Sequence, residues 1–243
     1  MTGSPRTERP NDREPVPAGA PLGVRDAGIA RRERRACRWL RRSVVPFSLV
    51  LAAGTLTAQR PVTSNVVTSD TLPAARIAMD SALRYVGTQT ITLGGGSRAE
   101  QHFWVEAAGN RVQRFYWLQF EGKPPGARPY DYGRDSLVVR GEVPWRVAFR
   151  YYPPSGLSDP PGSDGEAARR RVEAEGFTFG PDLARVRLVW LLGEPAMDEL
   201  MVIYVEDLAQ HGLTVAALEA DPARWHRFRE EFLARALAGM RVD

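Results

Sequence analysis

Three histidines, His102, His211 and His226, are the only imidazoles in the chain, so any histidine-based proton relay or zinc site must draw on them. On a strand, His102 and Glu106 would share a face. His211 lies five residues after Glu206, and His226 follows Trp225. None has the His-Glu-x-x-His spacing by which a helix offers two imidazoles to zinc with a carboxylate beside them. Asp131 and Asp135, or Asp198 and Glu199 with Glu206 and Asp207, could form an acid–base pair or collect calcium, but they lack the calcium-loop pattern and read as solvated. A hydrolase-like site would pair His102 with Asp131, Asp135 or Glu121.

Gly94-Gly95-Gly96-Ser97-Arg98-Ala99 has the form of a dinucleotide fingerprint, and Ser97 with Glu100 could cap a helix over 97–108. Such a helix is short for a crossover, and His102-Phe103-Trp104-Val105 is poor in helix formers, so the glycines read as a flexible hairpin turn. Ser97 misses the nucleophile elbow because Ala99 stands where Gly is needed, and Gly122-Lys123-Pro124 lacks the upstream glycine and the helix of a phosphate loop. These motifs predict neither a cofactor nor a metal.

Aromatic side chains are the larger anomaly, since twelve of the twenty after residue 58 fall between Phe103 and Tyr152. They predict an aromatic-lined cleft for a small apolar or amphipathic molecule. Trp104, Phe115, Trp117, Trp145 and Phe149 would wall it, Tyr130, Tyr132, Tyr151 and Tyr152 would orient the ligand at its rim, and Arg128 or Asp131 would read a polar group. The expected ligand-binding set is thus Trp104, Trp117, Arg128, Tyr130, Asp131, Tyr132, Trp145, Tyr151 and Tyr152. Aromatic strands also build solid cores, and a protein-interaction module with an aromatic core is the competing expectation.

The elements that must position these groups are mostly strands. Tyr85 to Leu93, Gln101 to Glu106, Arg111 to Phe120, Leu137 to Arg140, Val143 to Tyr152, Arg185 to Leu192 and Glu199 to Val205 are rich in β-branched and aromatic residues and separated by turn signals. Asp70-Thr71-Leu72-Pro73 reads as the start of a helix carrying Leu72, Ile77, Met79, Leu83 and Val86. Ser163 to Glu166 is a capping box before a short, solvated, charged helix that Gly176 stops. Asp221-Pro222 opens a longer helix whose stripe is Trp225, Phe228, Phe232, Ala236 and Met240. The predicted class is α+β: a predominantly antiparallel meander of about seven strands packed against an N-terminal and a C-terminal helix. A simple meander would bring the long loops 121–135 and 153–165 to one rim, with the tight turns at 107–110 and 141–142 at the other.

Charge distribution narrows the partners. The net charge of +4 resides in residues 1–58, which hold 11 arginines against 5 acids, while the remainder holds 22 basic against 24 acidic groups. A nucleic-acid partner is therefore not expected. Residues 1–42 form a Pro- and Arg-rich leader expected to be disordered, and 43–58 an apolar run ending in small residues; together they have the layout of a signal peptide. Fourteen helical residues would reach only about 21 Å, short of the roughly 30 Å hydrocarbon core. Export by the Sec route, or by the twin-arginine route through Arg41-Arg42, is expected, with the membrane engaged only if the leader stays uncleaved. A linker at 59–69 would then precede one exported domain, 70–243. Cys37, the only cysteine, lies in the leader, so the exported part has no thiol.

Overall fold

Phe103-Trp104-Val105 and Phe115-Tyr116-Trp117-Leu118 carry apolar side chains at successive positions, which a strand sustains only where both of its faces are covered. The computed structural model, which describes residues 59–133, 135–152 and 159–243, covers both. The described residues belong to one unit of the chain, Thr55–Asp243. The expectations for the leader and signal segment lie outside the described residues.

Four short strands come first and last: β1 (Val62–Thr63), β2 (Val66–Ser69), β3 (Ala75–Met79) and, at the C-terminus, β11 (Met240–Val242) form a sheet in the order β1-β2-β3-β11. Between them run β4 (Arg84–Thr92), β5 (Arg98–Ala108), β6 (Arg111–Gly122), β7 (Ser136–Arg140), β8 (Val143–Tyr152), β9 (Leu183–Leu192) and β10 (Asp198–Asp207). These seven make one antiparallel sheet in the order β4-β5-β6-β10-β9-β8-β7. Helix α1 (Asp164–Ala174) sits between β8 and β9, and α2 (Val215–Ala220) and α3 (Pro222–Ala238) follow β10.

Each face of the large sheet has its own core. On one, Trp104, Tyr116, Trp145 and Tyr204 pack with Ile77 and Met79 of the small sheet and with Phe228, Phe232 and Ala236 of α3. On the other, Phe103, Phe115, Trp117 and Tyr152 pack with Ala168 and Val172 of α1 and with Phe177. Burying each Phe or Val contributes about 1.5–3 kcal/mol, which is why a single stripe on α1 or α3 suffices to dock it.

Local chemistry sets the helix ends. Asp221 accepts from the Arg224 amide at 2.9 Å with Pro222 opening the first turn of α3, and Ser163 accepts from the Glu166 amide at 3.2 Å to start α1. The C-terminal end of α3 is fixed by Tyr116, whose hydroxyl donates to the Ala236 carbonyl at 3.0 Å.

Five expectations need correction. Residues 59–69 are not a linker outside the domain: β1 and β2 lie within them, β2 pairs with β3, and Val67 is fully buried in the core. Residues 70–86 hold no helix: Ala75, Ile77 and Met79 alternate buried with more exposed neighbours along β3, because β2 and β11 pair with it on either side. The large sheet is not a simple meander but two, β4-β5-β6 and β7 to β10, joined where β10 pairs with β6. As a result β6 ends at Gly122 beside Asp198, whereas β8 ends at Tyr152 beside Leu183, so the long loops leave from opposite ends of the sheet. The tight turns 107–110 and 141–142 are likewise at opposite ends. Finally, α1 is not solvated all round, since Gly165, Ala168 and Val172 are buried against the sheet.

Candidate functional site

Neighbouring residues on a strand point to opposite faces, and this divides the expected aromatic wall. Trp104, Trp145 and Tyr151 lie on the α3 face, the first two buried and Tyr151 half-buried against Trp225 at 5.3 Å. Trp117, Tyr132 and Tyr152 lie on the α1 face, while Arg128 and Asp131 are exposed on the loop between β6 and β7. No single cleft can collect the whole set.

What the α1 face does collect is a polar ladder that sequence reasoning missed. Gln89 donates to Gln101 at 2.6 Å, Gln101 to Gln119 at 2.7 Å and Gln119 to Glu121 at 2.7 Å. Glu121 stands directly opposite Glu199 on β10. Tyr130 and Tyr132, with rings 6.3 Å apart and nearly parallel, close over this pair: Tyr130 donates to Glu121 at 2.7 Å, and Tyr132 to both oxygens of Glu199 at 2.9 and 2.7 Å. Burial pushes the Glu199 carboxyl up to about 7 and the charge of Glu121 adds to the shift, while Tyr132 and Arg187 oppose it. Both tyrosines are driven above the ordinary phenol range, chiefly by burial. The pair can hold a proton near neutrality. The signal for it was the repeat of Gln and Glu at alternate positions of otherwise apolar strands.

His102 is fully buried on the α3 face, away from Glu121 and the Asp131 loop. Its Nε2 meets Glu100 at 2.8 Å and its Nδ1 the Tyr85 hydroxyl at 3.1 Å. Glu100 in turn accepts from the Arg60 amide at 2.6 Å and the Arg60 guanidinium at 2.7 Å. Burial raises the Glu100 carboxyl, but hydrogen bonds from His102 and Arg60 outweigh it and leave the group below its usual range. A carboxylate so fully engaged is a poor base. The arrangement clasps the segment before β1 onto the sheet behind a rim cleft of about 240 Å³ that Glu100 and Glu121 both line.

A larger cleft, about 510 Å³, opens between the tip of the β7–β8 hairpin and the corner where α3 passes into β11. That volume lies in the range of small-molecule sites. Met79, Trp145, Leu237 and Met240 supply apolar lining, and Asp80, Arg140 and Arg241 the charge. Asp80 faces Arg114 at 3.5 Å and Arg241 is paired with Asp243 at 2.9 Å, which leaves Arg140 as the unanswered charge among the described residues. The cleft also has backbone to offer. Asp243 and Arg76 exchange both hydrogen bonds across β11 and β3, so in this register the N–H and C=O of Met240 and Val242 turn away from β3. Of the expected ligand-binding residues, Trp145 alone lines this cleft.

Among the described residues, no group of three or more His, Cys, Asp or Glu side chains is placed to hold a metal ion. No family model, no curated protein and no solved structure matches the chain.

Proposed function

We propose that the protein is an exported, non-enzymatic binding domain for a small amphipathic anion. The ligand's apolar part would enter the cleft over Trp145, Met79, Leu237 and Met240 and its acidic group would meet Arg140. The observation that carries this reading is the pairing of an apolar lining of adequate volume with one arginine that has no acidic partner among the described residues. The outward N–H of Met240 or Val242 supplies a second donor to the same head group. Export is supported by the leader, in which arginines precede an uncharged apolar run that ends in small residues.

A fluorescence titration tests the reading, with dodecanoate and dodecanol as probes and Trp145→Phe identifying the reporter. Saturable binding of dodecanoate is expected, weakened roughly two- to fivefold by Arg140→Gln as suits one exposed ion pair, with dodecanol unaffected by that change. Ala238→Trp, which fills the mouth from an exposed position, should abolish both. Binding that survives Ala238→Trp would refute the site, and failure of either probe to saturate would refute the ligand class.

A further inference from the structure

On the α1 face, β8 and β9 carry arginines that neither core nor cleft employs. Arg150 stands directly opposite Arg185 in the ladder, and Arg187 stands opposite Ala148, with Arg146 two residues further along β8. Like charges directly opposed across a sheet destabilise it, so this placement runs against the fold's own interest.

Few of their donors are engaged. Arg187 gives one amino group to Asp135 at 2.8 Å and lies over the Tyr132 ring, and Arg185 gives one to the Tyr152 hydroxyl at 2.9 Å. The Nε of Arg185, of Arg187 and of the nearby Arg169 on α1 is buried with no acceptor among the described residues. Arg146 and Arg150 make no ion pair among those residues. Asp159, which precedes α1, is close enough to feel Arg185, Arg150 and Arg169. Asp135 pairs with Arg187, Glu199 lies near Arg187 and Asp159 near Arg185 and Arg150, while Arg169 has its own partner in Glu173 at 3.1 Å; Arg146 and Arg150 are left without a paired acid among the described residues.

Buried donors without acceptors and opposed like charges both cost stability, and a doubly charged oxyanion relieves both at once by accepting from several guanidinium groups. We propose that the Arg146–Arg150–Arg185–Arg187 patch binds a small oxyanion of the phosphate class, as free phosphate or as the phosphoryl group of a small metabolite. Arginine suits this role better than lysine, because its planar fork meets two oxygens together. The patch is too small to track a nucleic-acid backbone, for which several phosphates must be neutralised in a row.

Calorimetric titration with inorganic phosphate and with phenyl phosphate, at fixed ionic strength, tests the proposal. One saturable site is expected, at least tenfold weaker in Arg185→Gln and in Arg150→Gln and unchanged in Arg76→Gln, an exposed arginine on β3. Tighter binding of phenyl phosphate would identify a phosphorylated metabolite, and equal binding free phosphate. Arg150 is exposed, so its replacement is expected to leave the melting temperature without phosphate unchanged or raised while removing the increase that phosphate produces. No saturable heat, or equal losses in Arg76→Gln and Arg150→Gln, would overturn the site. So would an Arg150→Gln protein that is less stable yet still stabilised by phosphate.

Discussion

Arg235 of α3 grips Glu206 of β10 through two hydrogen bonds of 2.9 Å each, one to either carboxylate oxygen. Glu206 is almost wholly buried and also accepts from the Tyr204 hydroxyl, with His211 at 2.9 Å. One side chain thus ties the C-terminal helix, the strand beneath it and the turn after that strand. Removing it strands the arginine and the tyrosine hydroxyl, and Glu206→Ala is expected to cost about 3 kcal/mol. Urea unfolding checks this: a fall in midpoint at constant slope is the expected result.

Gly239 has an ordinary backbone conformation, so its requirement is steric. A Cβ there would come within 2.1 Å of the Tyr116 hydroxyl, the group that holds the last turn of α3. Gly239→Ala is expected to destabilise by about 1–3 kcal/mol. Tyr116→Phe in the same chain should recover part of the loss, because the clash with the hydroxyl goes while that with the ring remains. Melting curves of the two single variants and the double variant measure the coupling.

Glu199 should impose a pH dependence. Its folded-state pKa of about 7 lies above the ordinary 4.5, so between these values the folded protein keeps a proton that the unfolded chain releases. Stability from this group therefore falls as pH rises from 4.5 to 7, by at most about 3 kcal/mol. Glu199→Gln keeps an acceptor for Tyr132 and is expected to flatten the profile and stabilise the protein at pH 8. Glu100, held below its usual range, acts in the opposite sense: its contribution is present above the ordinary carboxyl pKa and is lost as pH falls through the lowered one. Unfolding midpoints from pH 4 to 8 in wild type and Glu199→Gln test the assignment.

Much of the fold was legible locally. All seven strands of the large sheet, the Ser163 cap and the α3 stripe as far as Ala236 follow from side-chain type and spacing, whereas Met240, expected on that helix, opens β11. The failures were non-local. Ile77 and Met79 fit a period of two as well as a helical one, and only pairing with β11, from the far end of the chain, decides for a strand. The β6–β10 pairing likewise has no local signature, yet it fixes which loops share an end of the sheet. For the site, alternation separates Phe103 from Trp104 and Tyr116 from Trp117, so a cluster in sequence becomes two cores in space. The arginines at 146, 150, 185 and 187 come together only through the β8–β9 register.

Native mass spectrometry of the protein recovered from the exported fraction without detergent tests export and ligand binding together. The expected species is a chain beginning near Gln59 that carries excess mass, released on denaturation and absent from Ala238→Trp. A chain that retains its leader, or a mature chain of bare mass that takes up no dodecanoate, would contradict this expectation.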